Sequence, residues 1–147
     1  MIKVLVVNGP NLNLLGKREP EKYGNITLNN IEKKLQEFVE HKDIELEFFQ
    51  SNSEGEIIDF IQKKGEKADF LIINPGAYTH TSIAIRDAIL GVNLSTIEVH
   101  LTNIYSREEF RKRSYISDIA IGVISGLGWY GYLFAVEYIY NNRGKIK

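Results

Sequence analysis

The chain has 147 residues, 44% hydrophobic and 25% charged, a size and composition that suit one soluble domain around one core. A formal net charge of -1 and a pI near 6.3 leave no basic footprint for nucleic acid or an anionic membrane. The absence of cysteine excludes disulfides, thiolate zinc sites and cysteine nucleophiles.

"IKVLVVN" (2–8) is β-branched and almost continuously apolar, as a strand covered on both faces would be. It is too short to span a membrane and no small-residue cleavage site follows, so a cytoplasmic protein is the default. The segment 27–42 places Ile31, Leu35, Phe38 and Val39 at helical spacing, with Thr27 as a candidate cap. A second strand is predicted over 44–50. Ser53 followed by Glu56 forms a capping-box pattern that opens a helix with Ile57, Ile58 and Ile61 on one face. "DFLIINP" (69–75) reads as a third buried strand, 82–90 as a helix and "STIEVH" (95–100) as a fourth strand. Ser106 with Glu109 predicts the cap of a short basic helix, "IAIGVIS" (119–125) a fifth strand, and 130–142 a closing amphipathic helix.

This alternation predicts one α/β domain over 1–147, a parallel five-stranded sheet with helices on both faces. Ligands of such sheets bind beyond the carboxyl ends of the strands, near a topological switch point. The first strand runs into "NGPNLNLLG", with Asn8, Asn11 and Asn13; the third runs into "NPGAYTHTS", with Asn74, Gly76 and His80; the fourth ends at His100. Asn and Gly are ordinary turn residues, and Asn13 is read as no more than that. Asn74, His80 and His100 follow buried strands at the ligand edge. Glu98 shares a strand face with His100, and a carboxylate beside an imidazole fixes its tautomer and favours its charged form. Such a pair prepares a general acid. Arg107 and Arg111 are one helical turn apart on the predicted basic helix, with Arg18 as a third guanidinium near the same edge; together they point to an anionic substrate. Lys112 and Arg113 are read as solvated, and His41 is assigned nothing.

Two familiar site types are excluded, and a metal centre finds no support. "GLGWYG" (126–131) fits G-x-G-x-x-G but follows the last strand and has no acidic partner about 20 residues on, so its glycines are read as serving a tight turn and close packing. A phosphoacceptor receiver would need acidic residues where Asn8 and Asn74 stand. Three histidines without an H-x-x-x-H spacing give no metal site. The residues alone leave open a non-catalytic module that senses a carboxylate metabolite, and a different elimination or hydrolysis on the same scaffold. The binding module gives no reason for Tyr23 in the charged loop "GKREPEKYG" (16–24) or for the Glu98–His100 pair.

"NGPNLNLLGKREPEKYG", "QSNSEGEIIDFI", "NPGAYTHTSIAIRDA", "IEVHLTN", "REEFR" and "GLGWYGY" resemble, in order, the signature blocks of type II 3-dehydroquinate dehydratase. Thr102 stands where many relatives have Ser, and Asp118 where several have Pro. The resemblance implies a flavodoxin-like doubly wound fold, assembly as a dodecamer of four trimers, and dehydration of 3-dehydroquinate to 3-dehydroshikimate without metal, cofactor or Schiff base. It implies Tyr23 as the base, Arg18 as the stabiliser of its charge, and His100 as the proton donor with Glu98 as its orienting partner. Asn74, His80, Arg111 and the backbone at Leu101 and Thr102 match the substrate-binding set, and Gly76 lies in the same block as Asn74. Asp87 matches a residue that reaches a neighbouring subunit's site; Asn11 and Arg107 match further active-site positions. The glycine-bordered loop carrying Arg18 and Tyr23 would act as a lid.

Overall fold

A computed structural model describes residues 1–17, 21 and 24–144 of the chain. Five strands, β1 (Ile2–Asn8), β2 (Ile44–Gln50), β3 (Phe70–Asn74), β4 (Ser95–His100) and β5 (Gly122–Ser125), form an all-parallel sheet in the order β2-β1-β3-β4-β5. That is the flavodoxin-like order. Among the described residues four α-helices accompany it: α1 (Leu28–Val39), α2 (Glu54–Gly65), α3 (Ile83–Val92) and α4 (Tyr130–Asn142).

The continuous apolar runs are explained by two cores, one on each face. Val4, Val6, Phe70, Ile72, Ile97 and Val99 pack with α1 and α4. The intervening Leu5, Val7, Leu71 and Ile73 pack with α2 and α3. Alternate residues of a strand point to opposite faces, so a strand covered on both sides needs apolar residues at every position. Close approach of α4 depends on Gly131, where a Cβ would stand 3.0 Å from Val99 Cγ1. The glycines of "GLGWYG" therefore do serve a turn and packing: Gly126 and Gly128 have φ of 99° and 60°.

The caps follow the sequence with one difference. Thr27 forms a complete box with Asn30, each side chain bonding the other's backbone N–H at 3.1 Å. Ser53 accepts from the Glu56 N–H, but Glu56 does not return the bond; its carboxylate accepts from Ser51 Oγ, whose oxygen in turn accepts from the Ser53 N–H. α1 stops at Val39, and His41 lies beyond it with φ 68°.

The short basic helix after His100 is not an α-helix. Two separate 3-10 turns, Ile104–Ser106 and Glu109–Arg111, take its place. Asn103 Oδ1 caps the first by accepting from the Tyr105 N–H, Ser106 Oγ turns back to the Asn103 carbonyl, and Arg107 is extended at φ -103°, which ends the helical run. The fifth strand also starts later than predicted, because Ser117–Ile119 forms a 3-10 turn. Asp118 on that turn holds the Arg86 guanidinium with both carboxylate oxygens, and Arg86 also donates to the Tyr115 carbonyl at 2.9 Å.

Candidate active site

The chain goes from β1 outward to β2 and then returns across β1 to β3, which makes β1/β3 the switch point. A cleft opens beyond the carboxyl ends of β1, β3 and β4. Its walls bring together eight of the residues singled out in the sequence besides His100: Asn11, Asn74, Gly76, His80, Leu101, Thr102, Arg107 and Arg111. Glu98 stands behind His100. Asp87 is exposed on α3 and does not line this cleft. Arg18 and Tyr23 lie outside the described residues.

The floor is made by two turns pressed together. Gly9 donates its N–H to the Asn74 carbonyl at 2.8 Å, and Gly76 (φ 61°) leaves no room for a Cβ beside the Pro10 carbonyl, 3.0 Å away. Asn74 Oδ1 accepts from the Gly76 N–H at 3.2 Å, which pins that turn to the end of β3. Asn11 sits in the left-handed region at φ 70°, and its N–H donates to Asn52 Oδ1.

His100 and Glu98 lie two apart on β4, and both are buried. His100 Nε2 hydrogen-bonds Glu98 Oε2. The remaining capacity of that carboxylate is taken by Ser114 Oγ at 3.1 Å and Ser117 Oγ at 2.7 Å. Burial alone would push the Glu98 carboxyl up, but the bonds from His100, Ser117 and Ser114 outweigh it and hold the group below the usual carboxylate range. An ionised Glu98 can only accept, so Nε2 carries a proton. Nδ1 then has no hydrogen bond among the described residues.

His80 is oriented by different means. Its Nδ1 lies 2.7 Å from the Arg113 carbonyl, which can only accept, so Nδ1 carries the proton and Nε2 is left over. Burial lowers its pKa against the opposing effect of that hydrogen bond, and the nearby His100 and Arg111 charges depress it further. One imidazole beside a carboxylate and one whose pKa is lowered by burial thus stand on the cleft wall.

The cationic wall comes from Arg107 and Arg111. Arg111 Nε bonds Glu108 at 2.8 Å, while Arg107 reaches Thr102 Oγ1 at 3.5 Å and lies 3.8 Å from Glu108. The latter distance is an ion pair but no hydrogen bond, and Arg107 Nε is buried without a hydrogen-bond partner among the described residues. An orphaned guanidinium N–H in a cleft is an unfilled anion contact. Beside it, the backbone N–H groups of Leu101 and Thr102 find no acceptor among the described residues. The cleft therefore suits a small molecule with carboxylate or enolate oxygens.

Sequence reasoning missed Ser114 and Ser117, which complete the Glu98 shell, and Tyr132. The serines sit in "KRSYISD", where nothing in the pattern distinguishes them from turn residues.

Just after the cleft-lining Leu14 and Leu15, Gly16 meets Thr27. A Cβ on Gly16 (φ 86°) would stand 2.9 Å from Thr27 Cγ2 and 3.0 Å from the Asn25 carbonyl. The segment that carries Arg18 and Tyr23 thus leaves and rejoins the described structure at one neck, with Leu14 and Leu15 of its approach lining the cleft.

The chain is similar in sequence and fold to known proteins. The chain is 55% identical over 142 residues to a 3-dehydroquinate dehydratase of Clostridium botulinum (strain 657 / Type Ba4), covering 97% of each. It is 56% identical over 145 residues to a 3-dehydroquinate dehydratase of Histophilus somni (strain 2336), covering 99% of this chain and 97% of the relative. Among solved structures, the type II dehydroquinase from Butyrivibrio crossotus superposes with a TM-score of 0.90 at 46% identity, over 94% of this chain and 97% of that one. The sequence model of the family described as dehydroquinase class II matches residues 2–140, so the chain belongs to that family.

Proposed function

We infer that the chain eliminates water from 3-dehydroquinate to give 3-dehydroshikimate, with Tyr23 as base and His100 as acid. Dehydratase activity and a place in the shikimate pathway follow from membership of the family. The observation that carries the assignment of roles is the buried Glu98–His100 pair on the wall of a cleft rich in N–H donors.

The substrate is a carboxylate with a ketone, an acidic proton beside that ketone and a hydroxyl in the β position. Arg111, Arg107 and the N–H groups of Leu101 and Thr102 offer the donors that its anionic oxygens need. Tyr23 takes the proton beside the ketone. A free phenol has a pKa of about 10, and a guanidinium within a few Å lowers such a value by about 1–3 units, which is the role assigned to Arg18. The electron pair of the broken C–H bond moves into the enolate, whose oxygen is stabilised by the cleft's donors. As the pair returns, the C–OH bond breaks and His100 protonates the departing hydroxyl to water. Glu98 keeps the imidazole in the orientation that this step needs. The proton on Tyr23 returns to His100 through solvent to close the cycle.

Chemistry of this kind needs no metal or Schiff base. Asp87, exposed on α3, acts in this reading on the cleft of a neighbouring copy. A homo-oligomer is further supported by exposed Ile121 and Val123 at edge strand β5 and by exposed Leu127, Tyr130 and Phe134 just after it.

The test adds 3-dehydroquinate to protein treated with a chelator, with a borohydride-treated sample alongside, and follows the ultraviolet absorbance of the conjugated enone carboxylate. Turnover that survives both treatments supports the mechanism. Turnover abolished by either would replace it with metal-assisted or Schiff-base chemistry.

A further inference from the structure

Asn8 and Asn74 are register partners at the carboxyl ends of β1 and β3, the two strands that flank the switch point. Both side chains face α4, like Val4, Val6, Phe70 and Ile72 on the same strands. There they meet one atom, the hydroxyl of Tyr132, on a side chain that is fully buried. Tyr132 Oη accepts from Asn74 Nδ2 at 3.0 Å and donates to Asn8 Oδ1.

The direction of every bond in this chain is dictated from one end. The Gly76 N–H can only donate, so the Asn74 atom facing it must be the amide oxygen. The Asn74 NH2 must then face Tyr132, whose oxygen accepts there and has a single proton left to give. That proton goes to Asn8, whose facing atom must also be oxygen. A buried phenol flanked in this way keeps its proton, and burial raises the Tyr132 pKa far above the ordinary value despite the bond from Asn74. Of the Asn74 amide, one N–H is held by Tyr132 and the other is without a partner among the described residues, while Asn74 itself lines the cleft.

We propose that Tyr132 is a positioning residue: with Asn8 behind it, it locks the Asn74 amide so that the cleft is offered an N–H donor and never the carbonyl. This role rests on the dehydratase reading of the cleft. It selects an acceptor oxygen of the substrate at that point and disfavours a hydroxyl that would have to donate. Asn8, which does not line the cleft, then acts on substrate binding through two hydrogen bonds.

Tyr132→Phe keeps the ring and removes the hydroxyl. It is expected to raise KM roughly tenfold, the worth of one hydrogen bond to an anionic group, with kcat changed much less. Asn8→Ala, which leaves the tyrosine proton free to turn toward Asn74, should raise KM in the same direction. In an Asn74→Ala background neither substitution should change KM further, whereas a merely structural role would add its full effect. Additive effects, or an unchanged KM in Asn8→Ala, would overturn the proposal. Should Tyr132→Phe fail to fold, Asn8→Ala and its cycle with Asn74→Ala decide. A separate readout needs no turnover: the side-chain amide protons of Asn74, followed by NMR in the free protein, should be protected from exchange in the native chain and lose protection in Asn8→Ala. Native protein without dehydratase activity would sink the assigned reaction, while that exchange measurement would still confirm or reject the lock.

Discussion

Gly9 and Pro75 approach so closely that a single carbon cannot be inserted between them: a Cβ at Gly9 would stand 2.2 Å from the Pro75 carbonyl oxygen. The atom in the way is backbone on both sides, so no rotamer change relieves it. Gly9→Ala is expected to cost about 2–3 kcal/mol, the upper part of the range for overpacking, and to impair activity because the Asn74 turn moves with Pro75. Urea denaturation checks the first effect; a midpoint indistinguishable from native would mean the two strand ends separate freely.

Removing the proposed base gives the sharpest catalytic prediction. Tyr23→Phe should leave folding and product binding close to native while activity falls by at least about a thousandfold, in keeping with the loss of general-base catalysis. Near-normal turnover would end the assignment. Arg18→Lys should also lower kcat, because an ammonium does not reproduce the planar fork of a guanidinium.

Glu98→Gln should lower kcat by about one hundredfold, because an amide does not replace the carboxylate that orients the His100 imidazole. The same substitution changes stability with pH. The folded Glu98 pKa is depressed, so its stabilising contribution is complete above the unfolded carboxylate value of about 4.3 and is lost as the pH falls through the lower folded value. Native protein should therefore lose stability below pH 4.3 more steeply than Glu98→Gln. Parallel slopes in urea titrations from pH 7 to 3 would show that the pair contributes nothing there.

Asp118→Ala should matter little. Its side chain is 65% exposed, so solvent and salt screen its pairing with Arg86. A thermal unfolding midpoint within a few degrees of native is expected. A large drop would place Arg86 and Asp118 at an interface in the assembled protein.

The sheet was readable because its inner strands β1 and β3 are buried on both faces and write that fact as continuous apolar runs. Glu98 and His100 were readable for the same geometric reason, since residues two apart in a strand share a face. The basic helix was misread because spacing carries no information about Asn103, whose side chain caps a different turn, or about the extended Arg107 that interrupts the run. The start of β5 was misread because Ser117 is drawn away to Glu98. Tyr132 was invisible for a simpler reason: an aromatic residue in an apolar helix looks like packing, and only the structure shows that its hydroxyl ends between two asparagines.

The contact between Gly16 and Thr27 has its own consequence. Because the neck is already shut, the entropy of bringing the two ends of the intervening segment together is met by the fold itself, and does not fall on substrate binding. Insertions or replacements between those ends should leave α1 and its cap undisturbed, so the segment is separable from its scaffold. If that segment carries the base and its charge stabiliser as proposed, exchanging one short stretch of chain is expected to alter turnover with the sheet and both cores kept as they are.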